Sequence, residues 1–113
     1  NLGNFDGAID YLKSYDADDI MTRVTAKGAI GDAYVEKDQV MKGAEYYVEA
    51  ANTFKNKFTT PLFLMKAAQI YFHEGQYQDA LKLYKRIEKE FPDSREYRTI
   101  EKHISRAEAM LNS

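Results

Sequence analysis

Residues 61 to 92 read PLFLMKAAQIYFHEGQYQDALKLYKRIEKEFP, and this stretch decides the fold. Thr60-Pro61 ahead of it is a helix start signal: a Thr oxygen caps free backbone NH groups, and proline at the first helical position loses an NH that has no partner there. Leu64, Ala67, Ala68 and Tyr71 then recur at helical spacing until Glu74-Gly75, where glycine takes the left-handed conformation that closes a helix. A second helix carries Tyr77, Ala80, Leu81, Tyr84, Ile87 and Phe91 on one face, and Pro92 stops it. Two helices joined by so short a turn must fold back on each other.

The same punctuation extends in both directions. Phe5, Ala8, Ile9 and Leu12 predict a first helix behind a Gly3-Asn4 turn signal, ending near Tyr15. Asp16, Asp18 and Asp19 predict the cap of a second, running to about Lys37. Val40, Ala44, Tyr47, Val48, Ala51 and Phe54 predict a third that fades around Lys57. Ser94 is expected to cap a last helix, with Tyr97, Ile100, Ile104, Ala107 and Leu111 inward and Arg95, Arg98, Lys102 and Arg106 outward. Trp is absent, only two prolines occur, and strand-like alternation is nowhere sustained, so the chain reads as all-α with about six helices.

These helices repeat. Leu64, Ala67, Ala68, Tyr71, Gly75, Tyr77, Ala80, Tyr84 and Pro92 stand in the order and spacing of a tetratricopeptide repeat, which the stretch resembles. Lys27, Ile30, Gly31, Tyr34, Gly43, Tyr47 and Ala50 form an earlier, degenerate copy, with Asp38 and Val40 where glycine and an aromatic are usual. The tyrosine pairs 34/47 and 71/84 are each 13 residues apart, so the helix pair itself is undistorted. From copy to copy the interval is 37, against about 34 for the family, which places three additional residues between repeats, in 52–60. Gly3, Phe5, Ala8 and Leu12 fall 35 residues before Asp38, Val40, Gly43 and Tyr47. The single domain 1–113 is therefore divided into the second helix of a truncated repeat (1–17), a degenerate repeat (18–57), a well-matched repeat (60–92) and a capping helix (94–112).

The small residues Ala8, Gly31, Gly43, Ala68 and Ala80 belong where helix backbones approach closely. The resemblance implies antiparallel pairs stacked as a right-handed superhelix, an α-solenoid. Phe5, Ile9 and Leu12 are expected to lack a partner helix, which predicts an upstream repeat or a homo-oligomer through this half repeat. The start at Asn1, without Met or leader, reads as a trimmed or processed segment.

The sequence nominates no catalytic residues, and neither metal nor cofactor is expected. With no cysteine there is no thiol nucleophile, disulfide or Cys zinc site. His73-Glu74 begins like a zinc-protease motif, but Tyr77 stands where the second histidine belongs. Asp16, Asp18 and Asp19 lack the glycine and distal Glu of a calcium loop. His103, between charged neighbours, reads as a solvated surface histidine, and there is no GxGxxG, phosphate loop or GxSxG.

Net charge is −2, which gives no bulk drive toward nucleic acid or anionic lipid. Residues 1–53 hold 5 basic and 10 acidic side chains and residues 54–113 hold 11 and 8, so the front half is acidic and the back half basic. Lys82, Lys85, Arg86 and Lys89 form a stripe without interleaved aromatics, so a solvated outer face is expected and a nucleic-acid partner is not. The richest apolar stretch is interrupted by Lys66 and Gln69, and neither a membrane span nor direct membrane contact is expected from this segment.

What remains is binding of a protein or peptide. Leu62, Met65 and Phe72 add a second apolar row to the helix after Pro61, with Gln69 and His73 beside it. By the resemblance, the first helix of each pair lines a concave groove, so this row would face it together with Asp32, Val35 and Glu36. The alternative is that the row packs against a flanking helix. Gly28, Asp32, Met65 and Gln69 fill the places where chaperone-binding members carry a Lys and Asn carboxylate clamp, so that activity is not expected. GNFDGAI (3–9), PLFLMK (61–66) and KEFPDS (89–94), with the longer loop before Pro61, also resemble the C-terminal half of bacterial YfgM-like proteins. That resemblance implies a membrane-anchored parent whose repeat domain faces the periplasm and serves cell-envelope protein biogenesis. An interaction module of this kind competes with a purely architectural segment that has no ligand of its own.

Overall fold

A computed structural model of the chain describes the backbone of residues 2–14 and 19–113, with side chains described for 4–13 and 19–113. It contains α1 (Leu2–Ser14), α2 (Ile20–Glu36), α3 (Val40–Thr53), α4 (Thr59–His73), α5 (Tyr77–Glu90), a 3-10 turn (Glu96–Thr99) and α6 (Ile100–Leu111), with no strand among the described residues. Each helix packs mainly on the one before and the one after it. The radius of gyration is 14.6 Å, above the roughly 13 Å of a compact globule of this length, and the extents are 42 × 28 × 16 Å. This is an all-α helical repeat fold.

The helix ends show why these segments form. Asp19 accepts the Met21 NH at 2.9 Å and caps α2, while Asp16 and Asp18 lie outside the described residues. The α2–α3 and α4–α5 turns close in the same way. Gln39 NH bonds Tyr34 O and Asp38 NH bonds Val35 O, and Gln76 NH bonds Tyr71 O and Gly75 NH bonds Phe72 O. Asp38 and Gly75 take the left-handed conformation this motif requires, at φ 66° and 78°. The degenerate copy thus keeps the turn geometry with a residue less suited to it.

Several expected boundaries shift. Gly3 and Asn4 lie inside α1, because the helix already starts at Leu2. Helix α3 ends at Thr53, and Phe54 is extended and exposed rather than part of the buried face. Thr60 does not cap α4: its hydroxyl donates to Ala51 O at 3.0 Å, while Asn56 Oδ1 accepts the NH groups of Phe58 and Thr59 at 2.9 and 2.8 Å. Pro61 sits third in the helix, still among the NH positions without an intrahelical acceptor. Ser94 Oγ donates to Phe91 O at 2.7 Å and accepts Tyr97 NH at 3.3 Å, so it caps the 3-10 turn that leads into α6. Tyr97 and Leu111 are outside, leaving Ile100, Ile104 and Ala107 as the buried stripe.

The core runs along the stack as successive clusters. Ile9, Ile30, Ala33 and Tyr34 join α1 to α2, with Phe5 and Leu12 packed on them. These three α1 residues therefore do not lack a partner; they face α2. The open face of α1 carries Ala8 and Tyr11. Ala44, Tyr47 and Ala67 join α3 to α4, and Leu64, Met65, Ala68, Ala80, Tyr84, Ile87 and Ile100 join α4 through α5 to α6. Burying each large apolar side chain in such a cluster contributes about 1.5–3 kcal/mol. Gly31 and Gly43 sit where α2 and α3 touch backbone to backbone: a Cβ on Gly43 would lie 2.9 Å from Gly31 O.

Candidate functional site: the open face of helix α4

Helix α4 is apolar on two sides. Phe63, Ala67 and Ile70 pack toward α3, and Leu64, Met65 and Ala68 toward α5 and α6. Leu62, Lys66, Gln69 and His73, spaced four, three and four apart, make the remaining stripe. Gln69, the exposed centre of that stripe, lines three adjoining clefts.

The first cleft, of about 390 Å³, lies between α2, α3 and α4 and is walled by Val35, Val40, Tyr47, Lys66, Ile70, His73 and Glu74 besides Gln69. Its floor is organised by one polar group. The Tyr47 hydroxyl donates to Asp32 Oδ1, and Lys66 Nζ reaches the same oxygen at 3.0 Å while standing 4.7 Å from the centre of the Tyr47 ring. Burial, then the hydrogen bond to Asp32 and the charges of Asp32 and Glu36, push the Tyr47 phenol well above its ordinary range, so it stays a donor. Tyr47 stacks on Phe63 with centroids 6.0 Å apart, and Phe63 in turn rests on Gly28, where a Cβ would meet the ring at 2.4 Å. The cleft thus has a fixed apolar wall and a clamped lysine.

The second and third clefts lie between α4 and α6. One, of about 340 Å³, includes Met65, Gln69, Arg95, Arg98 and His103; the other, of about 70 Å³, includes Gln69, Phe72, His73, Tyr84, His103 and Arg106. His103 is half-buried and stacked on Tyr84 at 5.1 Å, not a solvated surface residue. Burial, then Lys102 and Arg106, lower its pKa below the ordinary 6.5.

Of the eight residues expected in the groove, Val35, Gln69 and His73 share the first cleft, and Asp32 joins through Lys66 and Tyr47. Glu36 is exposed and acts on the site by its charge. Met65, 9% exposed and part of the core, edges the second cleft, Phe72 packs edge-on against Tyr77 at 5.2 Å and lines the third, and Leu62 lies in a separate depression with Phe58. The second apolar row is therefore split among three surroundings. Lys66, Ile70, His103 and Arg106 also line these clefts, and no sequence pattern nominates them for the groove. Lys66 counted only as a break in an apolar run, although its four-residue lead on Ile70 and seven-residue lead on His73 mark one helical face.

Among the described residues, no helix is long and apolar enough to cross a membrane. No curated protein and no solved structure shows significant similarity to the chain. A family model described as tetratricopeptide repeat matches residues 63–94, which are α4 from Phe63 onward, the turn at Gly75, α5 and the segment from Phe91 to Ser94. The chain therefore contains a tetratricopeptide repeat, a unit that generally mediates protein–protein interaction, set in an all-α helical repeat fold.

Proposed function

We propose that the chain is a non-catalytic adaptor or chaperone-like module that holds a peptide or partner helix along the open face of α4. The observation that carries this reading is the position of Gln69, exposed at the junction of three clefts whose walls come from α2, α3, α4 and α6. Apolar walls beside fixed polar groups suit an amphipathic segment. The envelope setting, with a membrane-anchored parent and a role in protein biogenesis, is part of this proposal and rests on the YfgM-like resemblance. A photo-crosslinking amino acid at Gln69, with one at Lys89 on the outer side of α5 as control, tests it in cells. Partner adducts are expected at Gln69 in excess over Lys89; equal labelling at both would overturn the groove.

A second, architectural reading has its own observation. Ala8 is exposed, whereas its counterparts Gly43 and Ala80 in the next two repeats are buried under their own first helices. Stacking on α1, by another helix of the parent or by a second copy, would cover Ala8 and Tyr11. Light scattering of the wild type and of Tyr11→Glu tests association: concentration-dependent mass that Tyr11→Glu abolishes supports it, and a strict monomer at high concentration counts against self-association.

A further inference from the structure

At the Leu62 end of α4, the two chain segments that enter successive repeats meet at one edge of the stack and form a depression of about 600 Å³. Phe58, Leu62 and Tyr97 line it, at 72%, 42% and 40% exposure. Phe58 is the most exposed large apolar side chain among the described residues, and Lys57 Nζ stands 5.5 Å from the centre of its ring, which places a cation directly beside the apolar surface.

Both walls are fixed. On one side Asn56 closes the 54–58 loop on itself: its side-chain amide donates to Phe54 O and Thr59 Oγ1 at 2.7 Å each, its Oδ1 accepts two NH groups, and its NH donates to the Thr60 hydroxyl at 3.0 Å. Thr60, fully buried, ties that network to Ala51 O. On the other side Ser94, also buried, clamps Phe91 O and Tyr97 NH. An exposed aromatic on a loop so constrained has little freedom left to lose on binding, which is the condition for an interface anchor. The loop is also where the 37-residue interval exceeds the family period, so Phe58 is displayed by the segment that lengthens the spacing between repeats.

Charge says what the depression takes. Lys57, Arg95 and Arg98 stand on its rim against Asp93 and Glu96. The outer-face cations Lys55, Lys85 and Arg86 are neutralised by Glu90 and Glu108, but Lys57, Arg95 and Arg98 form no ion pair among the described residues. Arg95 and Arg98 are one 3-10 turn apart and border both this depression and the cleft below Gln69, extending the cationic side inward. We infer that this edge is a docking site for a protein segment that presents an aromatic or aliphatic anchor next to aspartates or glutamates, the anchor on Phe58, Leu62 and Tyr97 and the carboxylates on Lys57, Arg95 and Arg98.

Selection of a phage-displayed random peptide library on the intact chain, followed by anisotropy measurements on the enriched peptides, tests the inference. Enriched sequences are expected to place Phe, Trp or Leu beside Asp or Glu. Phe58→Ser should weaken them by about tenfold or more with the melting temperature moved by no more than about 2 °C, and Arg95→Glu with Arg98→Glu should weaken them further at low salt than at high salt. Lys66→Gln, in the cleft between α2, α3 and α4, should leave them unchanged, which separates this site from the groove. Basic or uncharged winners, winners indifferent to Phe58→Ser, no enrichment at all, or Phe58-dependent binding only to phosphatidylserine vesicles would each overturn it.

Discussion

Replacing Gly43 by alanine perturbs one crossing whose geometry is fully described. A Cβ there would lie 2.6 Å from Val35 Cγ2 and 2.9 Å from the carbonyl oxygen of Gly31. The valine methyl turns away at small cost; the carbonyl belongs to helix α2 and moves only if the two helices separate. Overpacking of this kind costs about 1–3 kcal/mol. Alanine recovers up to about 1 kcal/mol of helix propensity. Because the carbonyl is the less yielding of the two contacts, the net effect is a loss of about 1–2 kcal/mol, or roughly 4–10 °C in the melting temperature of a domain this size. Gly7→Ala is the matched control, since nothing lies within 4 Å of its Cβ position. There the propensity gain stands alone, about 0.5–1 kcal/mol, so the midpoint should rise by about 2–5 °C. Thermal unfolding followed by far-ultraviolet circular dichroism reads both. A Gly43→Ala protein as stable as wild type, or two variants shifting in the same direction, would refute the close α2–α3 crossing.

Other expectations follow from single positions. Gly75→Ala should cost about 1 kcal/mol at its φ of 78°, while Asp38→Gly, at φ 66°, should gain up to about 1 kcal/mol; urea midpoints measure both. Met65→Ala should destabilise by about 2–5 kcal/mol in the same urea measurement, because Met65 is core. His103 has a lowered folded pKa, so the unfolded chain takes up its proton first as pH falls. The stability it contributes is present above about pH 6.5 and is lost on acidification toward the folded value. Melting curves should show a steeper acid loss for the wild type than for His103→Gln, and parallel profiles would contradict the stacked, half-buried placement.

The helices were legible because their punctuation is chemical: Asp19, Gly75 and Pro92 stand at chain reversals or helix ends where their conformational properties suit them. The tyrosine interval carried the pairing, since Tyr34, Tyr47 and Tyr84 are buried as that interval implies. Side-chain competition was not legible. Thr60 looked like a cap, yet the neighbouring Asn56 offers a longer amide that satisfies more NH groups, freeing the threonine hydroxyl for Ala51. Nor does a stripe say which of two packed neighbours it faces. Phe5, Ile9 and Leu12 pack on α2, and Met65 points inward while Lys66, one residue on, holds Asp32 across the cleft. Gly28 gave no signal because its role depends on Phe63, a contact between residues far apart in the chain.

The most direct test of the open face of α4 as a partner-binding surface is chemical-shift mapping on the 15N-labelled chain, titrated with the partner captured through Gln69. The account predicts that the largest shifts fall on Lys66, Gln69, His73 and His103, with Lys82, Lys85 and Lys89 on the outer stripe unmoved; shifts centred on that outer stripe, with Gln69 silent, would contradict it.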